Sequence, residues 1–294
     1  MTATAPQRSV GRERLADFTA LTKPNIVGLI LVTVAAGFYV GSGEEVALGL
    51  LVHTLLGSAL VAAGSNALNQ ILERRIDAQM RRTRRRPLPS GRLRTAESSV
   101  FAWALGIAGV VYLSIFTNWL VALLSAATLA SYVFVYTPLK RHTSLSTLVG
   151  AVPGALPILG GWAAARGSVE LPAWVLFGIL FLWQLPHFLA LAWLYREDYA
   201  RAGLRMLSVT QGTETTFRQA LLYAVALLPV SLAPTVLGTT GPVYFAGALL
   251  LSGWLVAATA RATLHHTPRR VRRLFLATVV YLPVLLVLLM LDKT

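Results

Sequence analysis

The chain has 294 residues, of which 55% are hydrophobic and 13% charged, and its mean hydropathy is +0.64. A soluble domain of this length is rarely so apolar, so the composition excludes an ordinary soluble protein and favours a membrane protein. The net charge of +14 would indicate a nucleic-acid partner in a soluble protein, but here the basic residues lie between apolar stretches. We therefore expect no nucleic-acid partner. Without cysteine, the chain forms no disulfide and no thiolate metal site.

Nine apolar segments follow one another along the sequence, and most approach the ~20 residues needed to cross a hydrocarbon core about 30 Å thick. They lie near residues 26–42, 47–70, 97–115, 119–137, 145–165, 172–194, 218–238, 242–264 and 271–291. The polar N-terminal stretch lacks the apolar core of a signal peptide, and Pro24 suits the first turn of a membrane helix. We predict an N-terminal cytoplasmic segment over 1–25 and a single nine-helix domain over 26–294.

The distribution of basic residues indicates how the helices are oriented. If the N-terminus is cytoplasmic, the cytoplasmic segments carry all of the 26 lysines and arginines except Arg166 and Lys293. Such asymmetry follows the positive-inside bias of membrane proteins. The sequence therefore predicts an all-α polytopic protein of the cell (inner) membrane, with its N-terminus in the cytoplasm, its C-terminus outside and its longer polar loops on the cytoplasmic face.

A charged stretch between the second and third apolar segments carries the clearest signal for chemistry. Asn69, Glu73 and Asp77 stand four residues apart, so on a helix their oxygen atoms line one face. Oxygen ligands suit Mg²⁺, and arginines suit phosphates, so the stretch indicates a magnesium-bridged diphosphate site. The helix is expected to continue through a group of arginines and to break at two prolines and a glycine, namely Arg81, Arg82, Arg84, Arg85, Arg86, Pro87, Pro89 and Gly91.

The same stretch has a second interpretation. Its arginines can serve only to hold a loop on the cytoplasmic side, while Glu73 and Asp77 pair with arginines at helical spacing. Short motifs also arise by chance, so the spacing by itself does not decide between a magnesium site and an orienting loop.

A second polar group follows the sixth apolar segment, in WQLPHFLALAWLYREDY. We expect Gln184, His187, Glu197 and Asp198 to lie near one another. His187 and Asp198 are eleven residues apart, which is almost three helical turns, so they are expected to share a face. Pro186 is expected to kink the helix and turn the imidazole toward a cavity, where it can bind an acceptor, a metal or a proton.

These residues also have a structural interpretation, in which His187 is a satisfied core histidine and the acids pair with Arg201 or Arg205. A further basic pair, Lys140 and Arg141 in YTPLKRHT, can reach phosphate oxygens or simply anchor the fourth apolar segment.

The sequence contains no GxSxG, HExxH, CxxC or Walker pattern. A hydrolase, a zinc peptidase and a nucleotide-driven pump therefore lose most of their support.

In these motifs the chain resembles the intramembrane prenyltransferases of the UbiA type, and within them the branch that farnesylates heme. The matching motifs cover nearly the whole chain and are LTKP, NQILERRIDAQMRRTRRRPLPSG, YTPLKRHT, GAVPGALPILGGW, WQLPHF, EDYARAGLRML and RLFLATVVYL. The long second motif together with WQLPHF is typical of the heme branch rather than of the quinone branch. The resemblance implies nine transmembrane helices around a central cavity open to the cytoplasmic side.

The resemblance also implies an enzyme that transfers a farnesyl group from farnesyl diphosphate to a vinyl group of heme B, giving heme O, with Mg²⁺ as cofactor. Its partners would be these two substrates, the lipid bilayer and a downstream heme-modifying enzyme. An aromatic prenyltransferase of quinone synthesis is the alternative enzyme. A transporter or non-catalytic membrane scaffold is the alternative of another class, although transport does not require an acidic ladder beside an arginine loop.

The resemblance assigns roles to individual residues. They are Asn69, Glu73 and Asp77 for magnesium and diphosphate, Arg82 and Arg86 of RTxxRPL for the leaving group, and Lys140 and Arg141 as a second basic motif. We add His187 as the candidate for the porphyrin, its iron or a proton, Asp198 as a further catalytic residue, and Gln184 and Glu197 as substrate-binding residues. Two positions depart from the family pattern. Leu194 replaces the first carboxylate of a second DxxxD motif, for which Glu197 can substitute. Ser146 stands where asparagine is expected, which alters that contact.

Overall fold

The computed structural model describes residues 10–294 and consists of helices joined by turns. In chain order the helices are α1 (Val10–Thr22), α2 (Pro24–Gly41), α3 (Leu48–Asp77), α4 (Thr95–Phe116), α5 (Trp119–Ala130), α6 (Thr137–Leu139), α7 (Ser146–Arg166), α8 (Leu171–Leu194), α9 (Arg196–Arg201), α10 (Leu207–Thr210), α11 (Gly212–Val236), α12 (Pro242–Leu264) and α13 (Pro268–Leu291). A π-helical segment, Ser131–Tyr136, joins α5 to α6.

Nine helical segments in residues 10–294 are long and apolar enough to cross a membrane: α2, α3, α4, α5 through α6, α7, α8, α11, α12 and α13. The predicted all-α fold with nine spans is therefore confirmed. The apolar pattern located the spans well, but α3 and α11 extend beyond it, because their polar ends continue as helix past the expected membrane boundary.

The nine spans form a closed ring. Each packs against the next in chain order, and α13 contacts α2. Further contacts between α2 and α7, and between α8 and α13, cross this ring. Because successive spans alternate in direction, α3, α6, α8 and α12 all end on the side where α2, α4, α7 and α13 begin. We call this side the basic end, since nearly all arginines lie there.

The N-terminal segment contributes a helix of its own at the basic end. α1 packs against α3 with Leu21 fully buried, and Gln70 Nε2 donates a hydrogen bond to the Leu21 carbonyl oxygen at 2.8 Å. Pro24 lies in the first turn of α2, as predicted. The described part of the predicted segment 1–25 is thus attached to the bundle, whereas residues 1–9 lie outside the described residues.

Helices α2 and α7 approach so closely that side chains do not fit between them. A methyl group on Gly161 would overlap the Val34 carbonyl oxygen and lie 2.8 Å from the Phe38 backbone nitrogen. The neighbouring Gly160 is also buried, but a methyl group there would meet no atom within 4 Å. Of these two neighbouring glycines, only Gly161 is therefore required by the contact between the two helices.

We predict that Gly161→Ala lowers the free energy of unfolding by about 1–3 kcal/mol, because α2 and α7 must separate to admit the methyl group. Gly160→Ala is the matched control and should be neutral or slightly stabilising, since alanine is the better helix former by about 1 kcal/mol. Thermal unfolding of both purified variants in detergent measures the difference. Equal melting temperatures would contradict the proposed role of the α2–α7 contact.

Candidate active site

The acidic ladder predicted from the sequence lies on the last turns of α3. Asn69, Glu73 and Asp77 follow one another along one helix face, and all three are buried, with 2%, 7% and 1% of their surface exposed. The helix ends at Asp77, so the prediction that it continues through the arginines is wrong. The Thr83 hydroxyl donates to the Asp77 carbonyl oxygen at 2.8 Å and replaces the next helical hydrogen bond, and residues 78–94 then form a chain of turns.

Each carboxylate of the ladder pairs with a cation from another segment. Lys140 Nζ donates to Glu73 Oε1 at 2.8 Å, and Arg86 Nη1 donates to Asp77 Oδ2 at 2.8 Å. The alternative in which these acids pair with arginines at helical spacing is therefore wrong. Within residues 10–294, the second oxygen of each carboxylate makes no hydrogen bond to protein.

Asn69 is held between two other segments. Its Nδ2 donates to Thr137 Oγ1 at 3.1 Å, and its Oδ1 accepts from Lys23 Nζ at 3.2 Å. Thr137 Oγ1 in turn donates to the carbonyl oxygen of Tyr132, inside the π-helical segment. Such segments are frequent at functional sites, and this one directs Thr137 and the following Lys140 toward α3. The Lys140 ammonium group also lies 4.3 Å from the centre of the Tyr136 ring.

We use the name paired cluster for this set of residues, which joins α2, α3 and the loops after α3 and α6: Lys23, Asn69, Glu73, Asp77, Arg86 and Lys140. The cluster contains two carboxylates and three cations. Burial, together with the charges of Arg86 and Lys140, lowers the pKa of Lys23 from 10.5 to about 7. Burial also opposes the charge of Lys140, but neighbouring Tyr136 and Glu73 outweigh it and raise the pKa of Lys140.

Lys23 is a site residue that the spacing of acids and arginines did not reveal. It is the one non-glycine residue in the described chain with a positive φ, 52°, directly before Pro24. Such a conformation costs roughly 1–2 kcal/mol, and strain of this kind concentrates at functional sites. The available signal was a lysine immediately before the proline that starts the first span.

Two basic residues assigned by motif lie outside the paired cluster. Arg82 Nη2 donates to the Tyr199 hydroxyl at 2.9 Å, and its guanidinium group lies 4.9 Å from the centre of the Tyr195 ring. Arg82 is therefore held against the junction of α8 and α9. Arg141 is exposed, whereas its neighbour Lys140 enters the cluster.

The second polar group does not assemble as predicted. The helix is interrupted at Tyr195, between α8 and α9, so the continuous helix on which the expected shared face of His187 and Asp198 depends does not form. Asp198 pairs with Arg201 at 3.2 Å, and the Glu197 side chain is 84% exposed. These local contacts match the structural interpretation of the two acids.

The remaining predicted residue of that group, Gln184, is buried where α8 faces α7. Its Nε2 donates to the carbonyl oxygens of Leu180 at 3.0 Å and Ala151 at 3.4 Å. The backbone of Arg205, which follows α9, donates to the Lys140 carbonyl oxygen at 2.9 Å. Thus the segment after α8 does reach the paired cluster, but through its backbone.

His187 lies at the contact between α8 and α13. Its ring stacks between Trp183 and Phe275, with centres 5.3 and 4.9 Å away, and its Nδ1 lies 2.8 Å from Thr278 Oγ1. The Thr278 hydroxyl already donates to the Phe275 carbonyl oxygen at 2.6 Å, so it accepts from His187. This assigns the proton to Nδ1 and leaves a lone pair on Nε2, which makes no hydrogen bond within residues 10–294.

Ser146, where the family pattern has asparagine, begins α7 and is fully buried. Its hydroxyl and that of neighbouring Thr147 have no hydrogen-bond partner among the described residues. A buried, unpaired hydroxyl destabilises a fold, so the shorter side chain leaves a contact unmade at this position.

The oxygen donors of α3 fit magnesium. Mg²⁺ prefers one or two carboxylates together with water or substrate phosphates, and Glu73 and Asp77 each keep a free oxygen beside the Asn69 carbonyl oxygen. Residues 10–294 contain no group of three or more His, Cys, Asp or Glu side chains that would enclose a metal. A magnesium ion here would therefore depend on oxygen atoms of a substrate.

The low pKa of Lys23 predicts a pH-dependent stability when metal ions are chelated. Between about pH 7 and pH 10.5 the unfolded chain holds the Lys23 proton and the folded chain does not, so stability rises with pH across this range. Lys23→Met should abolish this rise in melting temperature. Lys23→Arg, charged at every pH, should abolish it too and should melt below wild type at pH 9. Equal pH slopes in all three proteins would contradict the assignment.

Comparisons with known proteins identify the family to which this chain belongs. The model of the UbiA prenyltransferase family matches residues 30–284. A protoheme IX farnesyltransferase of Solibacter usitatus is 47% identical over 287 residues, which cover 94% of this chain and 98% of that protein. The protoheme IX farnesyltransferase of Koribacter versatilis is 42% identical over 291 residues, covering 95% and 94%.

Solved structures share the fold at low sequence identity. A digeranylgeranylglyceryl phosphate synthase superimposes with a TM-score of 0.82 at 18% identity, covering 95% of this chain and 98% of its own. A UbiA homologue from Archaeoglobus fulgidus, bound to GPP and Mg²⁺, gives a TM-score of 0.66 at 16% identity, covering 93% and 99%. From the family match over most of its length and from its relatives, this integral membrane protein belongs to the UbiA prenyltransferase family.

Proposed function

We propose that this protein transfers a farnesyl group from farnesyl diphosphate to a vinyl group of heme B and so produces heme O. The observation that carries the proposal is the paired cluster, in which buried carboxylates on α3 meet an excess of cations at the basic end. The names of the full-length relatives, all protoheme IX farnesyltransferases, support the choice of substrates.

The residues of the paired cluster act on the diphosphate. Lys23, Arg86 and Lys140 converge on one site, and an added anion would compensate the burial and the neighbouring positive charges that together lower the pKa of Lys23. As the allylic carbon–oxygen bond breaks, negative charge grows on the leaving diphosphate, and fixed cations stabilise it. When bound beside Glu73 and Asp77, Mg²⁺ would neutralise further charge on the same group.

The rest of the reaction requires protection of a cation from water. Breaking the carbon–oxygen bond leaves an allylic farnesyl cation, and the terminal carbon of the heme vinyl group supplies the electron pair of the new carbon–carbon bond. The positive charge then lies next to the porphyrin ring, where water adds, loses a proton and completes the hydroxyethyl group. Apolar spans, which offer few competing nucleophiles, suit this sequence of steps.

His187 is the residue we assign to the heme. Its hydrogen bond to Thr278 fixes Nδ1 as the donor, so Nε2 offers a lone pair to the iron or to a proton. Trp183 and Phe275 on either side of the imidazole provide flat apolar surfaces suited to a porphyrin. Arg82, held against Tyr195 and Tyr199, would contact the leaving diphosphate, as its motif implies.

We further propose that the protein resides in the cell (inner) membrane with its N-terminus in the cytoplasm and its C-terminus outside. The asymmetry of its basic residues supports this orientation. In the same proposal the basic end faces the cytoplasm, the polar segment 1–25 is cytoplasmic, and residues 26–294 form one domain. Heme O would pass to a downstream heme-modifying enzyme.

Mass spectrometry of a reaction with farnesyl diphosphate, Mg²⁺ and heme B tests the activity. We predict that Asp77→Asn reduces heme O formation about a hundredfold or more, because it removes a ligand charge and unpairs Arg86. Heme binding should stay nearly unchanged. The control is Asp17→Asn, which alters an acid paired with Arg92 outside the cluster and should retain activity. Prenylation of a hydroxybenzoate without heme O would instead indicate a quinone-pathway enzyme.

A second prediction concerns heme recognition. His187→Ala should weaken heme binding about tenfold or more and shift the heme absorption band, because the Nε2 lone pair is lost. The matched control is His53→Ala, which removes another intramembrane histidine, bonded to Tyr112 at 2.7 Å and stacked on Phe116. Unchanged heme affinity, spectrum and product formation in His187→Ala would return this histidine to a structural role.

A further inference from the structure

A groove lies on the membrane-facing side of α12 and α13, apart from the paired cluster. Its volume is about 630 Å³, within the range of about 300–1,000 Å³ that ligand pockets occupy. Its polar lining consists of Arg261, Arg270 and Arg273, and its apolar lining includes Trp254, Leu276 and Val280. The groove therefore combines a cationic part with an apolar part.

Helical spacing separates these two parts. Trp254 and Arg261 are seven residues apart on α12, and Arg273 and Val280 are seven residues apart on α13, so each pair lies on one helix face. The two helices are antiparallel, and Arg270 Nη1 donates to the Arg261 carbonyl oxygen at 3.4 Å. The arginines thus lie together at the basic end, and the apolar residues lie about two helical turns deeper.

The arginines of the groove lack anionic partners in the protein. No carboxylate within residues 10–294 lies within ion-pair distance of Arg261, Arg270 or Arg273. Three like charges that converge without a counter-ion repel one another, and an anion from outside would relieve this repulsion. A phosphate oxygen is well suited, because guanidinium groups bind phosphate through paired hydrogen bonds.

The apolar part restricts the occupant further. Trp254, Leu276 and Val280 are 43%, 51% and 47% exposed, although they lie on membrane-spanning helices. In the bilayer such surfaces face acyl chains. The opposite side of α13 carries Phe275 and Thr278, which contact His187, so the groove is separate from the residues assigned to heme.

We propose that this groove binds an acidic diacyl phospholipid. Its phosphate lies between Arg261, Arg270 and Arg273, and an acyl chain lies along Trp254, Leu276 and Val280. A basic pocket between membrane helices at an interface is the arrangement that anionic lipids favour. The bilayer supplies this ligand at the required depth, and charge complementarity selects an acidic headgroup over a zwitterionic one.

Native mass spectrometry of the full-length protein, delipidated in neutral detergent, tests the proposal. Phosphatidylglycerol should bind about tenfold more tightly than phosphatidylcholine, because basic residues at the membrane surface attract anionic headgroups. Arg261→Gln with Arg273→Gln should abolish this preference. Arg269→Gln with Arg272→Gln removes the same charge from the exposed first turns of α13, outside the groove lining, and should retain the preference within about twofold.

A variant without charge change tests the acyl-chain part. Leu276→Trp fills the groove and should reduce phosphatidylglycerol binding while leaving the melting temperature unchanged. This variant tests lipid binding in the groove even if the double arginine variant does not fold. An equal loss of the phosphatidylglycerol preference in the two double arginine variants would overturn the proposal, because it would indicate diffuse charge attraction. Equal binding of the two lipids, or displacement of phosphatidylglycerol by inorganic phosphate, farnesyl diphosphate or heme B, would overturn it as well.

Discussion

Two carboxylates buried at the end of a membrane helix constrain the structure around them. An unpaired buried carboxylate costs several kcal/mol, so Glu73 and Asp77 each require a cation that α3 does not provide at helical spacing. Lys140 arrives from beyond the π-helical segment, and Arg86 arrives from the turns after α3. Breaking either pair would be costly, yet replacing a buried pair by apolar residues is often neutral, so these pairs favour a chemical role over a stabilising one.

The paired cluster is electrostatically incomplete without a further anion. Lys140 and Arg86 already balance the two carboxylates, so Lys23 adds a third positive charge. Burial and the charges of Arg86 and Lys140 lower its pKa to about 7. Its left-handed backbone holds it in place despite the strain. A diphosphate would restore the balance, and the same excess charge would stabilise it as it departs. The strained start of α2 therefore places a cation beside the proposed diphosphate site.

Periodicity and charge predicted the nine spans and the ladder of Asn69, Glu73 and Asp77, because burial in lipid and helical spacing are local properties. Such reasoning could not predict which residues from distant segments would contact one another. The end of α3 at Asp77 depends on the Thr83 hydroxyl, and the partners of Glu73 and Asn69 come from 67 and 46 residues away. The break at Tyr195, which separates His187 from Asp198, carries no proline or glycine signal, so the sequence alone wrongly predicted one continuous helix through both residues.

Helix α13 links the interior of the ring to its membrane surface. On one face, the Thr278 hydroxyl accepts a hydrogen bond from His187 Nδ1, because its own hydrogen is donated to the Phe275 carbonyl oxygen. This single hydroxyl therefore determines which imidazole nitrogen keeps a lone pair. The groove with Arg273 lies on another face of the same helix. A rotation of α13 that relieved the repulsion among the groove arginines would also move Thr278 away from His187. If the groove binds an acidic lipid as proposed, relief of this repulsion in place would help to hold the imidazole in the tautomer that the proposed heme contact uses.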